Sequence, residues 1–331
     1  MVYQLDNGTL HAEVSDFGAK ITRLLVPDTQ GNSADVLLGF ASEEEWRTKE
    51  LYFNASIGRC ANRIKDGRFV LDGKTYQLPL NNGTNSLHGG EHGFNEKIWE
   101  VIESDSRRIM LHYRSADGEE GYPGNLDVWV TYALTDDNAL TIEYKAQSDA
   151  PTIVNFTNHA YFNLCGEDAP SVRNHTLQVF ADQYTPFDDT ACPTGEILPV
   201  EGTPMDFRQP TLIGDRIDLP FFAPGKGIDN NWVLNGEGLR KAAVLSADER
   251  TMEVYTTCPA LQVYTGNYVE PNMGKSGTCY QPQNAVCLET QNFPDAINHP
   301  HFPSPVLRPD ETFRQITTYK FVSSRARVHV H

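Results

Sequence analysis

The sequence predicts an all-β protein, built as one large antiparallel β-sandwich over residues 1–331. Hydrophobicity alternates with a period of two, most clearly at Leu126, Val128, Val130, Tyr132 and Leu134. The 20 prolines and 25 glycines interrupt the chain at short intervals, as a fold with many turns requires. Helical patterns are weak, and neither a repeat nor a linker divides the chain. These observations favour a single sandwich domain.

The elements are expected in the following order. Ser42 precedes three glutamates and is a candidate cap for a short helix. Residues 69–78 form a hairpin that turns at Asp72-Gly73. Residues 126–134 pair with residues 140–144 in a longer hairpin, and a second short helix is expected within residues 210–216. Further strands are expected at 108–114, 176–180, 252–256 and 317–322.

Composition narrows the possible partners. The formal net charge is −17, and such an acidic surface repels phosphate backbones and anionic lipid heads, so neither nucleic acid nor a membrane is expected as a partner. The first residues show no targeting pattern and no apolar run is long enough to cross a bilayer, which favours a cytoplasmic protein. The six scattered cysteines show neither disulfide nor zinc spacing. The terminal His329 and His331 are expected to be a solvated tail, and no metal site is predicted.

Two histidine-containing segments are candidates for a site. In LHGGEHGF at 87–94, the glycines exclude a helix, so His88 and His92 do not form a helical metal clamp. This segment is either a binding loop or a solvated turn. The segment NFTNHAYFNL at 155–164 is β-prone and rich in asparagine, which strands usually avoid. If it is a strand, Asn155, Thr157, His159 and Tyr161 share one face, which either faces water or lines a cavity. The alternative for His159 is a satisfied core residue.

Charged residues in apolar surroundings give three more candidates. Glu289 lies in the apolar strand 286–291 and faces opposite to Leu288 and Thr290. Burial would raise its pKa towards the range of a general base. The alternative is a glutamate paired with a structural arginine. The run Asp229-Asn230-Asn231-Trp232 suits sugar hydroxyls and C–H faces, but it is also a common turn sequence. Arg59 and Arg63 either bind a ligand or form structural ion pairs.

The segments together resemble the aldose 1-epimerase (galactose mutarotase) family. Seven of them occur in the family's order: GRCANRI at 58–64, LHGGEHGF at 87–94, GYPGNL at 121–126, NFTNHAYFNL at 155–164, DNNWVL at 229–234, LQVYTGN at 261–267 and LETQNFPDAIN at 288–298. The resemblance implies a galactose mutarotase-like supersandwich with an open groove on one sheet. It also implies a small-molecule aldose as substrate and no metal or organic cofactor.

The resemblance assigns roles by position. Glu289 matches the general base and His159 the general acid. Six residues match substrate-binding positions: Asn62, Arg63, His88, Tyr161, Asp229 and Gln262. The family usually has Asp-His-Asn where this chain has Asp229-Asn230-Asn231, which leaves the preferred sugar open. His88 remains the rival acid, and the chain is expected to be a monomer or a homodimer.

The expected reaction interconverts the α and β anomers of free hexoses such as galactose and glucose. Mutual attraction is expected to raise the pKa of His159 and to lower that of Glu289. The alternatives are a catalytically silent sugar-binding module and a mutarotase for another aldose. A phosphorylated sugar would need a basic cluster that the sequence lacks. A glycoside hydrolase would need two carboxylates and would leave His159 without a task.

Overall fold

The computed structural model describes residues 1–49, 52–247 and 249–323. Within these ranges the chain is built almost entirely from β-strands. In chain order they are β1 (Val2–Asp6), β2 (His11–Ser15), β3 (Lys20–Pro27), β4 (Ser33–Asp35), β5 (Ser56–Ile57), β6 (Arg63–Ile64), β7 (Arg68–Leu71), β8 (Lys74–Gln77), β9 (Ser86–Leu87), β10 (Glu100–Ser104), β11 (Arg108–Ser115), β12 (Leu126–Leu134), β13 (Ala139–Ser148), β14 (Thr152–Ile153), β15 (Thr157–Asn158), β16 (Tyr161–Phe162), β17 (Thr176–Val179), β18 (Gln183–Thr185), β19 (Leu198–Pro199), β20 (Thr211–Leu212), β21 (Asp229–Val233), β22 (Arg240–Ala247), β23 (Arg250–Thr256), β24 (Ala260–Tyr264), β25 (Asn272–Met273), β26 (Cys279–Tyr280), β27 (Val286–Gln291), β28 (Val306–Leu307) and β29 (Phe313–Ser323).

Helices are short. The α-helix α1 spans Glu43–Thr48 and begins at Ser42, whose side chain accepts a hydrogen bond from the Glu45 N–H, as the sequence predicted. The 3₁₀ helices are Lys65–Gly67, Phe94–Glu96, Glu119–Gly121, Ile213–Asp215, Pro220–Gly225 and Ala296–Asn298. The longest helices in the described ranges have six residues, so none of them could span a lipid bilayer.

Nine antiparallel strands form the largest sheet, in the order β10-β11-β12-β13-β29-β23-β22-β17-β20. Its third and fourth strands are the predicted hairpin of β12 and β13, in which Leu134 pairs with Leu140. Every second residue of β12 is buried, from Leu126 to Leu134, and faces the core. The period of two in the sequence therefore reports one buried sheet face.

A six-stranded sheet in the order β16-β27-β24-β21-β18-β19 packs against the buried face of the nine-stranded sheet. Polar groups bridge the two layers: the Tyr319 hydroxyl of β29 donates to the Leu288 carbonyl of β27 at 3.1 Å. The hydroxyls of Thr290 and Thr317 lie 2.5 Å apart. The predicted antiparallel sandwich is confirmed, and its second sheet carries β27 with Glu289.

Three segments differ from what their local sequence suggested. Within residues 210–216 the expected short helix is limited to the 3₁₀ helix Ile213–Asp215, because Thr211–Leu212 form β20, which pairs with β17 at the sheet edge. Asp229–Val233 is a strand rather than a turn, since pairing with β24 overrides the turn preference of Asp and Asn. The segment 155–164 is not one continuous strand but the two short strands β15 and β16. The terminal His329 and His331 lie outside the described residues.

Candidate active site

All eight residues to which the resemblance assigns roles line one groove of about 410 Å³. They are Asn62, Arg63, His88, His159, Tyr161, Asp229, Gln262 and Glu289. The volume of the groove lies in the range of small-molecule binding sites. Residues from six strands or their flanking turns meet here, so no single segment could form the groove alone.

The floor of the groove is the outer face of the six-stranded sheet. On β27, Glu289 faces the groove, while Leu288 and Thr290 face the core and the other sheet. In the register of the neighbouring strand β24, Gln262 is directly opposite Glu289. The amide of Gln262 donates to Asp229 Oδ1 at 2.7 Å. Strand alternation therefore places two carboxylates and an amide on one face.

His159 meets Glu289 from the broken segment between β15 and β16. Its Nε2 lies 3.5 Å from Glu289 Oε1, and both side chains are almost fully buried. The ring of Tyr161 stacks on that of His159, with centroids 4.9 Å apart. Because only Ala160 lies between them in extended chain, His159 and Tyr161 share one face, as expected from the sequence. The pair is close enough to act on one small ligand.

His88 enters the groove from the glycine-rich loop, and its side chain is buried rather than solvated. The Asn62 backbone N–H donates to His88 Nδ1 at 3.1 Å, and the His88 N–H donates to the Asn62 carbonyl at 3.0 Å. With Nδ1 occupied as an acceptor, the neutral ring carries its proton on Nε2. His92 of the same loop is exposed and contacts Glu96 at 3.1 Å, away from the groove.

A steric constraint requires glycine at position 89 of this loop. Gly89 has a φ of +90°, and a Cβ at this position would overlap the Gly58 carbonyl oxygen. We expect Gly89→Ala to lower the free energy of unfolding by about 3 kcal/mol, from backbone strain plus overlap. Gly73 is the matched control, with a φ of +78° and no atom within 4 Å of its Cβ position. Gly73→Ala should cost only about 1 kcal/mol. Equal costs in urea unfolding would contradict the steric argument.

The two arginines have separate tasks. Arg63 lines the groove, where its Nε donates to Asn82 Oδ1 at 2.9 Å. Arg59 is buried, and its guanidinium donates to several backbone carbonyls, including those of Pro123 and Gly124 at 2.8 Å. Arg59 is therefore structural, but its partners are mainly carbonyls and hydroxyls rather than the carboxylate of an ion pair.

Burial controls the protonation of the central groups. It raises the pKa of Glu289 well above its ordinary value, and the negative charge of Asp229 raises it further, while Arg63 partly offsets both effects. Burial lowers the pKa of His159 to about 4. The expected mutual attraction does not decide these pKa values: desolvation outweighs it, because both groups lose water. Burial also raises the pKa of Asp229.

His88, the other histidine of the groove, stays neutral. Burial lowers the pKa of His88 well below its ordinary value, and the nearby charges of His159 and Arg63 act in the same direction. A proton on Nδ1 would also break the hydrogen bond from the Asn62 N–H. His88 is therefore a neutral donor through Nε2.

A metal could find donors here only with difficulty. His88, His159 and Glu289 offer ligand atoms within 4.8 Å of one another. The Nε2 of His88 is protonated by the argument above, however, so it has no lone pair for a metal. His159 and Glu289 are two donors, fewer than the three protein ligands of a catalytic zinc site. The donor set suits proton transfer better than metal binding.

Nine further residues line the groove, and five of them have aromatic or amide side chains to which the sequence analysis gave no role: Tyr52, Asn82, Phe187, Tyr264 and Tyr268. Tyr264 lies inside the LQVYTGN segment and could have been found there. Asn82 precedes the glycine-rich loop and is recognisable only once its contact with Arg63 is seen. Phe187 and Tyr268 carry no pattern in the sequence that points to the groove.

Amides, a guanidinium and tyrosine rings suit a ligand with many hydroxyls and apolar C–H faces. With a buried histidine–glutamate pair at its floor, the groove has the features of an enzyme site for a small polyhydroxylated molecule.

Comparison with known proteins narrows this class to one family. The family model for aldose 1-epimerase matches residues 1–320. The chain is 45% identical to galactose mutarotase of Rattus norvegicus over 323 residues, covering 96% of this chain and 93% of that protein. It is 39% identical to aldose 1-epimerase of Escherichia coli (strain K12), covering 96% and 94% of the two chains.

A solved structure agrees. An aldose epimerase homologue from C. elegans superposes with a TM-score of 0.90 at 31% identity, covering 98% of this chain and 99% of that chain. The chain belongs to the aldose 1-epimerase family, and it is an isomerase that epimerises aldoses at C1.

Proposed function

We propose that Glu289 and His159 are the general base and general acid with which this enzyme interconverts the α and β anomers of free hexoses such as galactose and glucose. The observation that carries the proposal is the 3.5 Å approach of His159 Nε2 to Glu289 Oε1 in a groove lined by hydrogen-bonding groups. A general acid and base each contribute about 10²–10⁴ in rate, which suffices for a reaction that proceeds unaided in water.

The proposed cycle moves two protons in each direction. Glu289 removes the proton of the C1 hydroxyl, and protonated His159 donates a proton to the ring oxygen. The bond between C1 and the ring oxygen breaks, and an open-chain aldehyde forms. Rotation about the C1–C2 bond presents the other carbonyl face. On closure His159 removes the proton of the C5 hydroxyl and Glu289 returns one to the carbonyl oxygen, so the catalyst is restored.

The pKa shifts decide which one-proton state of the pair is the resting state. Because burial opposes charge on both groups, the proton rests on Glu289, and it must pass to His159 before the pair opens the ring as described. Each half-reaction moves the pair between two states that both hold one proton. The same two residues therefore open and close the ring without an outside proton.

The other groove residues would bind and orient the sugar. We assign Asn62, Arg63, His88 and Tyr161 to contacts with its hydroxyls and C–H faces. Asp229 would accept a hydrogen bond from a sugar hydroxyl. Gln262, which already donates to Asp229 Oδ1 at 2.7 Å, would hold that carboxylate while contacting the sugar.

We further propose that the chain works as a single cytoplasmic domain, as a monomer or a homodimer, without nucleic-acid partners. One cluster of buried apolar side chains runs from Leu5 to Phe321, which supports a single domain. The buried thiols of Cys60 and Cys258 favour a reducing compartment. The net charge of −17 argues against nucleic acid.

Polarimetry tests the activity directly. Freshly dissolved α-D-galactose and α-D-glucose should approach their final rotations faster with the purified protein than in buffer, and the final rotations should not change. The ratio of the two rates would give the sugar preference. Binding detected by calorimetry without any acceleration for either sugar would instead support a silent sugar-binding module.

We expect a bell-shaped dependence of kcat/KM on pH, after subtraction of the buffer rate. The acid limb arises when the pair takes a second proton on His159, whose pKa of about 4 lies below the ordinary histidine value. The alkaline limb arises when the single proton is lost, above the ordinary pKa of a glutamate because burial raises that of Glu289. A rate that stays flat from about pH 3 to about pH 9 would contradict the assignment.

A further inference from the structure

Asp295 is a buried carboxylate that takes no part in the proposed proton transfers. It follows β27 by four residues and begins the 3₁₀ helix Ala296–Asn298, with only 3% of its surface exposed. A buried carboxylate is costly unless hydrogen bonds satisfy it. Its presence next to the active-site strand therefore needs an explanation.

The contacts of Asp295 bracket Arg63. The Asp295 backbone N–H donates to the Arg63 carbonyl at 2.9 Å. Its side-chain Oδ1 accepts the backbone N–H of Lys65 at 3.1 Å. Asp295 thus holds the short strand β6 from the side opposite to β9, where Arg63 pairs with Leu87.

The carboxylate is itself fixed in place. The Asn298 side chain donates to Oδ1 at 2.7 Å, and His299 Nε2 lies 3.3 Å from Oδ2. The backbone of Asp295 is left-handed, with a φ of 53°, a conformation that aspartate tolerates and most residues do not. The turn at the end of the strand that carries Glu289 therefore reaches back to the strand that carries Arg63.

We propose that Asp295 is a positioning residue that sets the location of Arg63 relative to Glu289. The inference rests on the proposed role of Arg63 in binding the sugar. Asn82 orients the guanidinium through Nε, and Asp295 fixes the backbone from which that side chain extends. Displacement of a substrate-orienting group by about 1 Å can cost up to about 10²-fold in rate, so the anchoring of β6 should affect turnover of the sugar.

A double-mutant cycle distinguishes this role from a general effect on stability. Asp295→Ala should raise KM for galactose about ten-fold and change kcat by less than about three-fold, because Arg63 binds the sugar before and during the reaction. Arg63→Met should raise KM by about ten-fold or more, as expected for loss of a charged hydrogen bond. In the Arg63→Met background, Asp295→Ala should raise KM by less than about two-fold.

Further variants keep the test decisive. Asp295→Asn retains an oxygen acceptor for the Lys65 N–H and tolerates the left-handed backbone, so its KM should stay near that of the wild type. If Asp295→Ala does not fold, Asp295→Gly removes the carboxylate but accepts the same φ. Asp72→Ala, which removes an exposed carboxylate paired with Arg308 at 3.0 Å, is the control and should leave KM unchanged.

The outcomes separate the two hypotheses. An equal rise in KM from Asp295→Ala in both backgrounds, or a folded Asp295→Ala variant with wild-type KM, would overturn the positioning role while leaving the proposed function intact. An unchanged KM in Arg63→Met alone would refute the role of Arg63 in sugar binding.

Discussion

Glu289→Gln is expected to lower kcat/KM for galactose mutarotation by about 10²–10⁴, the contribution of a general base. Glutamine keeps the size and the acceptor oxygen of the side chain but cannot take the C1 hydroxyl proton. The loss should fall on kcat, because the groove that binds the sugar is unchanged. Polarimetry at saturating and subsaturating galactose would measure both constants.

The same substitution is expected to stabilise the fold at neutral and alkaline pH. Burial raises the pKa of Glu289 in the folded state. Between the ordinary glutamate pKa and this raised pKa, the unfolded chain therefore holds fewer protons than the folded chain. The wild type loses stability as the pH rises through this range. Glutamine does not titrate. The gain in melting temperature of the variant over the wild type should therefore be larger at pH 8 than at pH 5.

Glu143→Gln provides the control for both effects. Glu143 lies on β13 and contacts Arg314 at 2.8 Å on the solvent side of the nine-stranded sheet. Its substitution should change neither the rate of mutarotation nor the difference in melting temperature between the two pH values by a comparable amount. A Glu289→Gln variant that retains wild-type kcat would exclude Glu289 as the base.

The fold could be predicted because its dominant pattern is local. The alternation at Leu126–Leu134 directly reports one buried face, and Ser42 caps α1 through a contact within four residues. The strand Asp229–Val233 could not be predicted in this way, because its residues prefer turns. Pairing with β18 and β24, each more than 25 residues away in sequence, makes them a strand.

Part of the candidate site could likewise be predicted from the sequence, and part of it could not. Motifs in the order of a known family identified the eight residues that the structure brings into one groove. The contact between Asn82 and Arg63, and the anchoring of Arg63 by Asp295, join distant segments and leave no pattern in the sequence. The pKa values were also beyond sequence reasoning, because they depend on how deeply each group is buried. Burial outweighs the attraction between His159 and Glu289 that the residue types alone suggested.

The two histidines of the groove should respond differently to substitution. His159→Asn is expected to lower kcat by about 10²–10⁴ with little change in KM, since the ring oxygen loses its proton donor. His88→Asn should raise KM and retain kcat within about ten-fold. His88 is the weaker candidate for the acid because its Nδ1 already accepts the Asn62 N–H at 3.1 Å, which disfavours the charged ring.

The pH profile of the variants distinguishes the roles further. If His159 carries the second proton of the pair, the acid limb should be absent in the residual activity of His159→Asn and present in His88→Asn. His92→Asn is the matched control, because His92 belongs to the same loop but is exposed and contacts only Glu96 among the described charged groups within 4 Å. Its kinetic constants should equal those of the wild type. A His88→Asn variant without measurable kcat, alongside a fully active His159→Asn variant, would reverse the assignment and require the His88 loop to release its Asn62 hydrogen bond during turnover.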